Sequence, residues 1–198
     1  SFNIAEGGQV TGGHLNFEGN NSIGVEGTIL GDAIFDVTNG NTVNITNNGN
    51  VTINSNDIWA DGTIHLNGGT LNYEGVKNGS NGAFHGDKGN LNISDNFIVD
   101  ADSYIKDAVN TTINEGSTLQ VAGGEVTLGG ANDKISGNIS ISDGKLNLDN
   151  AVKEQTGQFT QTGGTTTVSG SFDLNNANDN ISGGQFDING TVNQTQGT

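Results

Sequence analysis

Two histidines, His65 and His85, stand twenty residues apart, and two carboxylates, Asp87 and Asp107, repeat the same interval. A shared metal ion is the chemistry that such an imidazole pair invites, with Asp87 as the nearest of the further ligands that zinc would need. Like charges at Asp87 and Asp107, if stacked, would raise a carboxyl pKa or recruit a cation such as calcium. The residues favour neither reading. His65 and His85 follow Ile64 and Phe84, and strand alternation that turns those two inward sends the imidazoles to solvent. The stretch GGANDKI from Gly129 to Ile135 is one residue too short for the calcium-binding nonapeptide and lacks its second-strand glycine. The expectation is no metal site and no cofactor.

Catalytic constellations are similarly sparse. Asp100 and Asp102 are the close carboxylate pair that a glycoside hydrolase would require. A lyase needs a basic group for proton abstraction as well as charge to stabilise its intermediate, and all six cations here are lysines with no arginine beside them. The chain is therefore not expected to be an enzyme, and a polysaccharide-active enzyme stands only as an alternative. Trp59, the sole tryptophan, lies in NDIWADG, where exposure would let it stack on sugar rings and burial would make it packing at a coil edge. The N-x-S/T triplets at Asn44, Asn50, Asn78, Asn92, Asn110, Asn138 and Asn180 follow from richness in asparagine and threonine.

Composition narrows the partners. Six lysines oppose 22 acidic residues, for a formal charge of -16, so the clustered positive charge that nucleic acids and anionic membranes require is missing. No stretch has the length of a membrane span, so direct membrane insertion is not expected. There is no methionine, and SFNIAEGG and TVNQTQGT at the two ends read as mid-pattern, so residues 1–198 are expected to be one domain cut from a longer repetitive chain.

What must position these residues is a repeat of twenty. Val126, Leu146, Thr166 and Phe186 form one column, with Leu128, Leu148, Val168 and Ile188 two residues on and Gly124, Gly144, Gly164 and Gly184 ahead, where a turn of positive φ is expected. A second set runs through Val51, Leu71, Leu91 and Thr111, with Ile53, Tyr73, Ile93 and Ile113 as its partner column. A third passes through Val99, Leu119, Ile139 and Phe159. Three short strands per repeat describe a triangular coil. The register also sets Lys77 over Asp57, Lys134 under Glu154, Lys145 over Glu125, and Lys153 between Asp133 and Asp173.

One such coil cannot offset the entropy of ordering its own backbone, so coils must stack and share a core. The prediction is an all-β fold, a right-handed parallel β-helix (β-solenoid) of about ten triangular coils of roughly twenty residues. Proline is absent, as continuous ladders require. The columns falter at Asp95 to Ala108 and Ala151 to Phe159, where an irregular coil or loop is expected, and residues 1–50 keep only a partial register (Leu15 with Phe35, Phe17 with Val37).

The segments VTLGGANDKISGNISISDGKLNL and FDLNNANDNISGGQFDING resemble the glycine-rich repeats in passenger domains of bacterial autotransporters and related large surface adhesins. The resemblance is clearest over residues 120–192. It implies export to the bacterial surface or medium and a structural or adhesive role, with a host or bacterial surface receptor or glycan as partner. It carries over no catalytic residue. A self-assembling extracellular fibre, with copies stacked end to end, is the alternative. Ice binding finds less support, because Thr42, Thr46, Thr52 and Thr165 to Thr167 do not persist in one column.

Overall fold

The computed structural model describes residues 1–155 and 157–196. All of its elements are strands, and they stack in parallel into a β-solenoid of about nine turns, consistent with the right-handed coil and close to the expected ten. The first column is in place: Val126 pairs with Leu146, Leu146 with Thr166, and Thr166 with Phe186. So is the second, from Val51 through Leu71 and Leu91 to Thr111. Leu15 pairs with Phe35 as expected. Alternation does the sorting: in Thr63–Tyr73 and Thr118–Leu128 alternate residues on each side of the Gly-Gly pair, Ile64, Leu66, Leu71 and Tyr73 and then Leu119, Val121, Val126 and Leu128, enter one continuous core.

The third column needs a correction. Phe97, not Val99, lies against Leu119, and Val99 lies against Val121. Three residues link Ile93 to Phe97, whereas five link Ile113 to Leu119. The corner between two faces thus lengthens by two residues in the later coil, and the pairing interval there becomes 22. A compensating contraction occurs nearby, where His85 pairs with Tyr104 at an interval of 19. The irregularity expected over Asp95 to Ala108 is therefore one of coil length, since Phe97–Asp100 and Tyr104–Ile105 remain strands of the same ladders. Val152 is buried in the second irregular stretch, while the side chains at 153–155 lie outside the described residues.

Corners are closed by inward-turned aspartates. Asp57 is fully buried and accepts hydrogen bonds from the Phe35 N–H at 2.7 Å and the Asn54 N–H at 2.8 Å. Asp179 does the same for Phe159 and Asn176, and Asp133 for Thr111, Gly129 and Gly130. Each carboxylate thereby joins its own turn to the strand of the preceding coil. Burial, the largest influence, raises the pKa of Asp57 against the opposing effect of its backbone donors. The folded chain takes up a proton there more readily than the unfolded one. The pH-dependent part of this residue's contribution is therefore greatest below the ordinary carboxylate pKa and is lost as pH rises through the raised folded value, whereas the two backbone donors need their acceptor at any pH. Asp57→Ala leaves two backbone donors without their acceptor and should lower stability at neutral pH by about 2–4 kcal/mol in urea titrations. Asp57→Asn should recover part of that loss, because its amide oxygen still accepts from one N–H.

The inward turn of Asp57 also corrects the expected Lys77 pair. Lys77 does sit on the next rung, its N–H donating to the Asp57 carbonyl oxygen at 2.7 Å, but the two side chains point to opposite sides of the wall. Glu125 and Lys145 are rung neighbours and do not close to an ion pair. Glu154 and Lys153, in the remaining two expected pairs, have side chains outside the described residues.

Candidate functional site

The histidines sit where alternation put them. Ile64 and Phe84 enter the core, and His65 and His85 face outward on adjacent rungs, paired in register with ring centroids 6.3 Å apart. The column continues through Tyr104, Glu125 and Lys145. His85 stacks on Tyr104 at 5.0 Å with planes 11° apart, and its Nε2 lies 2.9 Å from the Asp102 carbonyl oxygen.

Asp87 is the centre of this group. Its carboxylate meets Lys106 Nζ at 2.6 Å, His65 Nε2 at 2.5 Å and the Tyr104 hydroxyl at 3.2 Å. The expected stacking of Asp87 on Asp107 does not occur. The 19-residue interval between His85 and Tyr104 advances the next coil by one position, so the residue that follows Asp87 around the wall is Lys106. A like-charge pair is replaced by an ion pair, the one lysine–carboxylate contact within 4 Å among the described residues.

Its consequences for protonation are direct. The Lys106 hydrogen bond, followed by opposing desolvation and then the His65 contact, lowers the pKa of Asp87 to about 2. Asp87 in turn raises that of Lys106, and burial followed by the Asp87 charge raises that of Tyr104. A carboxylate so held and so fully hydrogen-bonded is a poor general acid or base near neutral pH. The folded pKa lies below the unfolded one, so the stability it contributes is present above about pH 4 and is lost as pH falls towards 2. Lys106→Met should raise the Asp87 pKa towards the ordinary carboxylate value in an NMR titration of its side-chain carbon. An unmoved titration would show that Lys106 is not the main cause.

Beside this group lies an open cleft of about 480 Å³, whose lining includes His85, Asp61, Asp100 and Asp102 together with Gly62 and Gly82. The carboxylate pair singled out in the sequence is thus near His85, but Asp100 is occupied in shaping its own corner. One oxygen accepts from the Asp102 N–H at 3.1 Å and the Ser103 hydroxyl at 3.0 Å. No group of three or more His, Cys, Asp or Glu among the described residues is arranged to hold a metal ion.

Trp59 takes the buried alternative. It is fully enclosed, its Nε1–H donating to the Gly62 carbonyl oxygen at 3.2 Å and its ring surrounded by Tyr73, Phe84 and Phe97 at centroid distances of 6.2, 6.4 and 6.1 Å. The triplet asparagine Asn78 serves it, accepting from the Trp59 N–H at 3.1 Å and donating to its carbonyl oxygen at 3.2 Å.

Several triplet asparagines take part in a second outward feature. Asn92 donates to Asn72 at 2.9 Å, Asn72 to Asn50 at 2.8 Å, and Asn110 to Asn90 at 2.9 Å. With Thr52, Thr70 and Thr112 they make one uncharged polar face over successive rungs. Comparison with protein-family models, curated proteins and solved structures returned no match.

Sequence reasoning missed Tyr104 and Lys106, because a coil one residue short cannot be detected from apolar columns on its two sides. It also missed the corner aspartates, although a signal existed: Asn-Asp recurs in NSND, GAND and NAND, ending at Asp57, Asp133 and Asp179.

Proposed function

We propose that the chain is a structural and adhesive β-helical module of a secreted or cell-surface bacterial protein, a stiff acidic rod that spaces or presents binding surfaces. The observation that carries this reading is the unbroken run of parallel pairing around one core, from Phe2 against Ile23 to Leu174 against Gln194. Rungs at strand spacing give about nine turns a length of about 40 Å. Continuous hydrogen bonding resists bending, and each rung offers outward side chains in fixed positions, which suits display better than closure around a substrate. The saturated Asp87 group supports the same view, since its ion pair and ring stack stiffen the wall where coil length changes.

The test combines two measurements on the isolated chain. Labelled protein should be retained on bacterial or host cell surfaces, and incubation with neutral and acidic polysaccharides should release no reducing ends above background. Turnover at ordinary enzyme rates would overturn the reading in favour of a polysaccharide-active enzyme.

A further inference from the structure

In a chain of charge -16, two adjacent outward columns carry no charge over four consecutive rungs. Asn50, Thr70, Asn90 and Asn110 form one outward column, and Thr52, Asn72, Asn92 and Thr112 the column beside it. Between them runs an open trough of about 440 Å³, whose lining includes Thr70, Asn90, Asn92, Asn110 and Thr112, with Lys134 at one end. The neighbouring outward column on the other face carries His65, His85, Tyr104, Glu125 and Lys145.

The amides here are held in place. Each ladder bond uses one N–H of a donor and one lone pair of an acceptor: Asn92 to Asn72, Asn72 to Asn50, Asn110 to Asn90, and Asn90 to the Thr70 hydroxyl at 3.3 Å. A primary amide has two N–H donors and two acceptor sites, so each asparagine keeps hydrogen-bonding capacity beyond the ladder. Its rotamer is already restrained by its neighbours, which reduces the entropy that a ligand must offset on binding.

From this we propose that the trough is a binding site for an extended neutral polysaccharide, one that presents hydroxyl groups and no charge. Alternating amides and hydroxyls match sugar hydroxyls as both donors and acceptors. A polyanion meets a single cation in the trough, Lys134, on a rod of charge -16, and a polycation finds no carboxylate there to neutralise it. The lining runs over successive rungs, from Thr70 through Asn90 and Asn110 to Lys134, which suits a chain lying across them. This inference rests on the adhesive reading above and names the ligand class for it.

Affinity electrophoresis of the purified chain tests it, with a soluble glucan, a galactomannan and a xylan as neutral probes and polygalacturonate as the charged one. At least one neutral polymer should retard the protein, with little dependence on salt, and polygalacturonate should not. The variant Thr112→Glu places charge and bulk in the trough without removing an asparagine amide or the Thr70 hydroxyl that accepts from Asn90. It should bind the retarding polymer about tenfold more weakly, with a circular dichroism spectrum and melting curve like those of the parent. Equal retardation of parent and variant, retardation by polygalacturonate alone, or retardation by none of the three neutral polymers would overturn the proposal. Failure of the adhesive reading is distinguishable, because it would appear as reducing ends released in the same mixtures.

Discussion

Gly144→Ala should lower the unfolding free energy by about 3 kcal/mol, the sum of a left-handed backbone strain of about 1–2 kcal/mol and an overpacking cost of similar size. Gly144 has φ of +83°, and a Cβ there would collide with the carbonyl oxygen of Gly124 on the rung below. Gly164 and Gly184 repeat the arrangement, each with positive φ and each set against the carbonyl oxygen of the glycine one coil earlier. The column is thus a line of close backbone approach that cannot admit a side chain. Gly116 provides the comparison, with φ of +81° and nothing within 4 Å of the position of its absent Cβ. Gly116→Ala should therefore cost only the strain, about 1 kcal/mol. Urea titration of both variants separates the two causes. Equal losses would mean that stacking against Gly124 adds nothing.

Removal of the Trp59 ring should have the other large effect. Trp59→Ala is expected to cost about 3–5 kcal/mol, the range for a large aromatic deleted from a closed core. Tyr73, Phe84 and Phe97 would lose a common neighbour, and the Gly62 carbonyl oxygen its donor. The cavity cannot easily collapse, because the surrounding strands are pinned by ladder hydrogen bonds on both sides. Gly82 shows how closely the wall is fitted, since a Cβ there would lie 2.7 Å from the indole ring. Trp59→Phe should recover roughly half of the loss, as it restores most of the apolar area but not the N–H donor. Circular dichroism in urea measures both. A loss below about 1 kcal/mol for Trp59→Ala would contradict a core role.

Much of the solenoid was legible before any coordinate. Inward and outward positions follow from a period of two, and stacking from a period of twenty, so Val126, Leu146, Thr166 and Phe186 identify one another by spacing alone. The outward direction of His65 and His85 follows from the same rule applied to Ile64 and Phe84. Gly144, Gly164 and Gly184 have the positive φ expected of them, although at the first position of the column that role passes from Gly124 to Gly123.

What the chain determined unaided was the class of fold, because alternation and repeat length are local, additive properties that survive small insertions. The tertiary structure alone decided which side chains meet across rungs wherever corner length changes. One residue fewer between His85 and Tyr104 exchanged Asp107 for Lys106 beside Asp87, and two more after Ile113 exchanged Val99 for Phe97 above Leu119. Those choices depend on how far a turn reaches before the next strand can pair. Reach is set by backbone geometry and by buried caps such as Asp57, not by the apolar pattern of the strands that the turn connects.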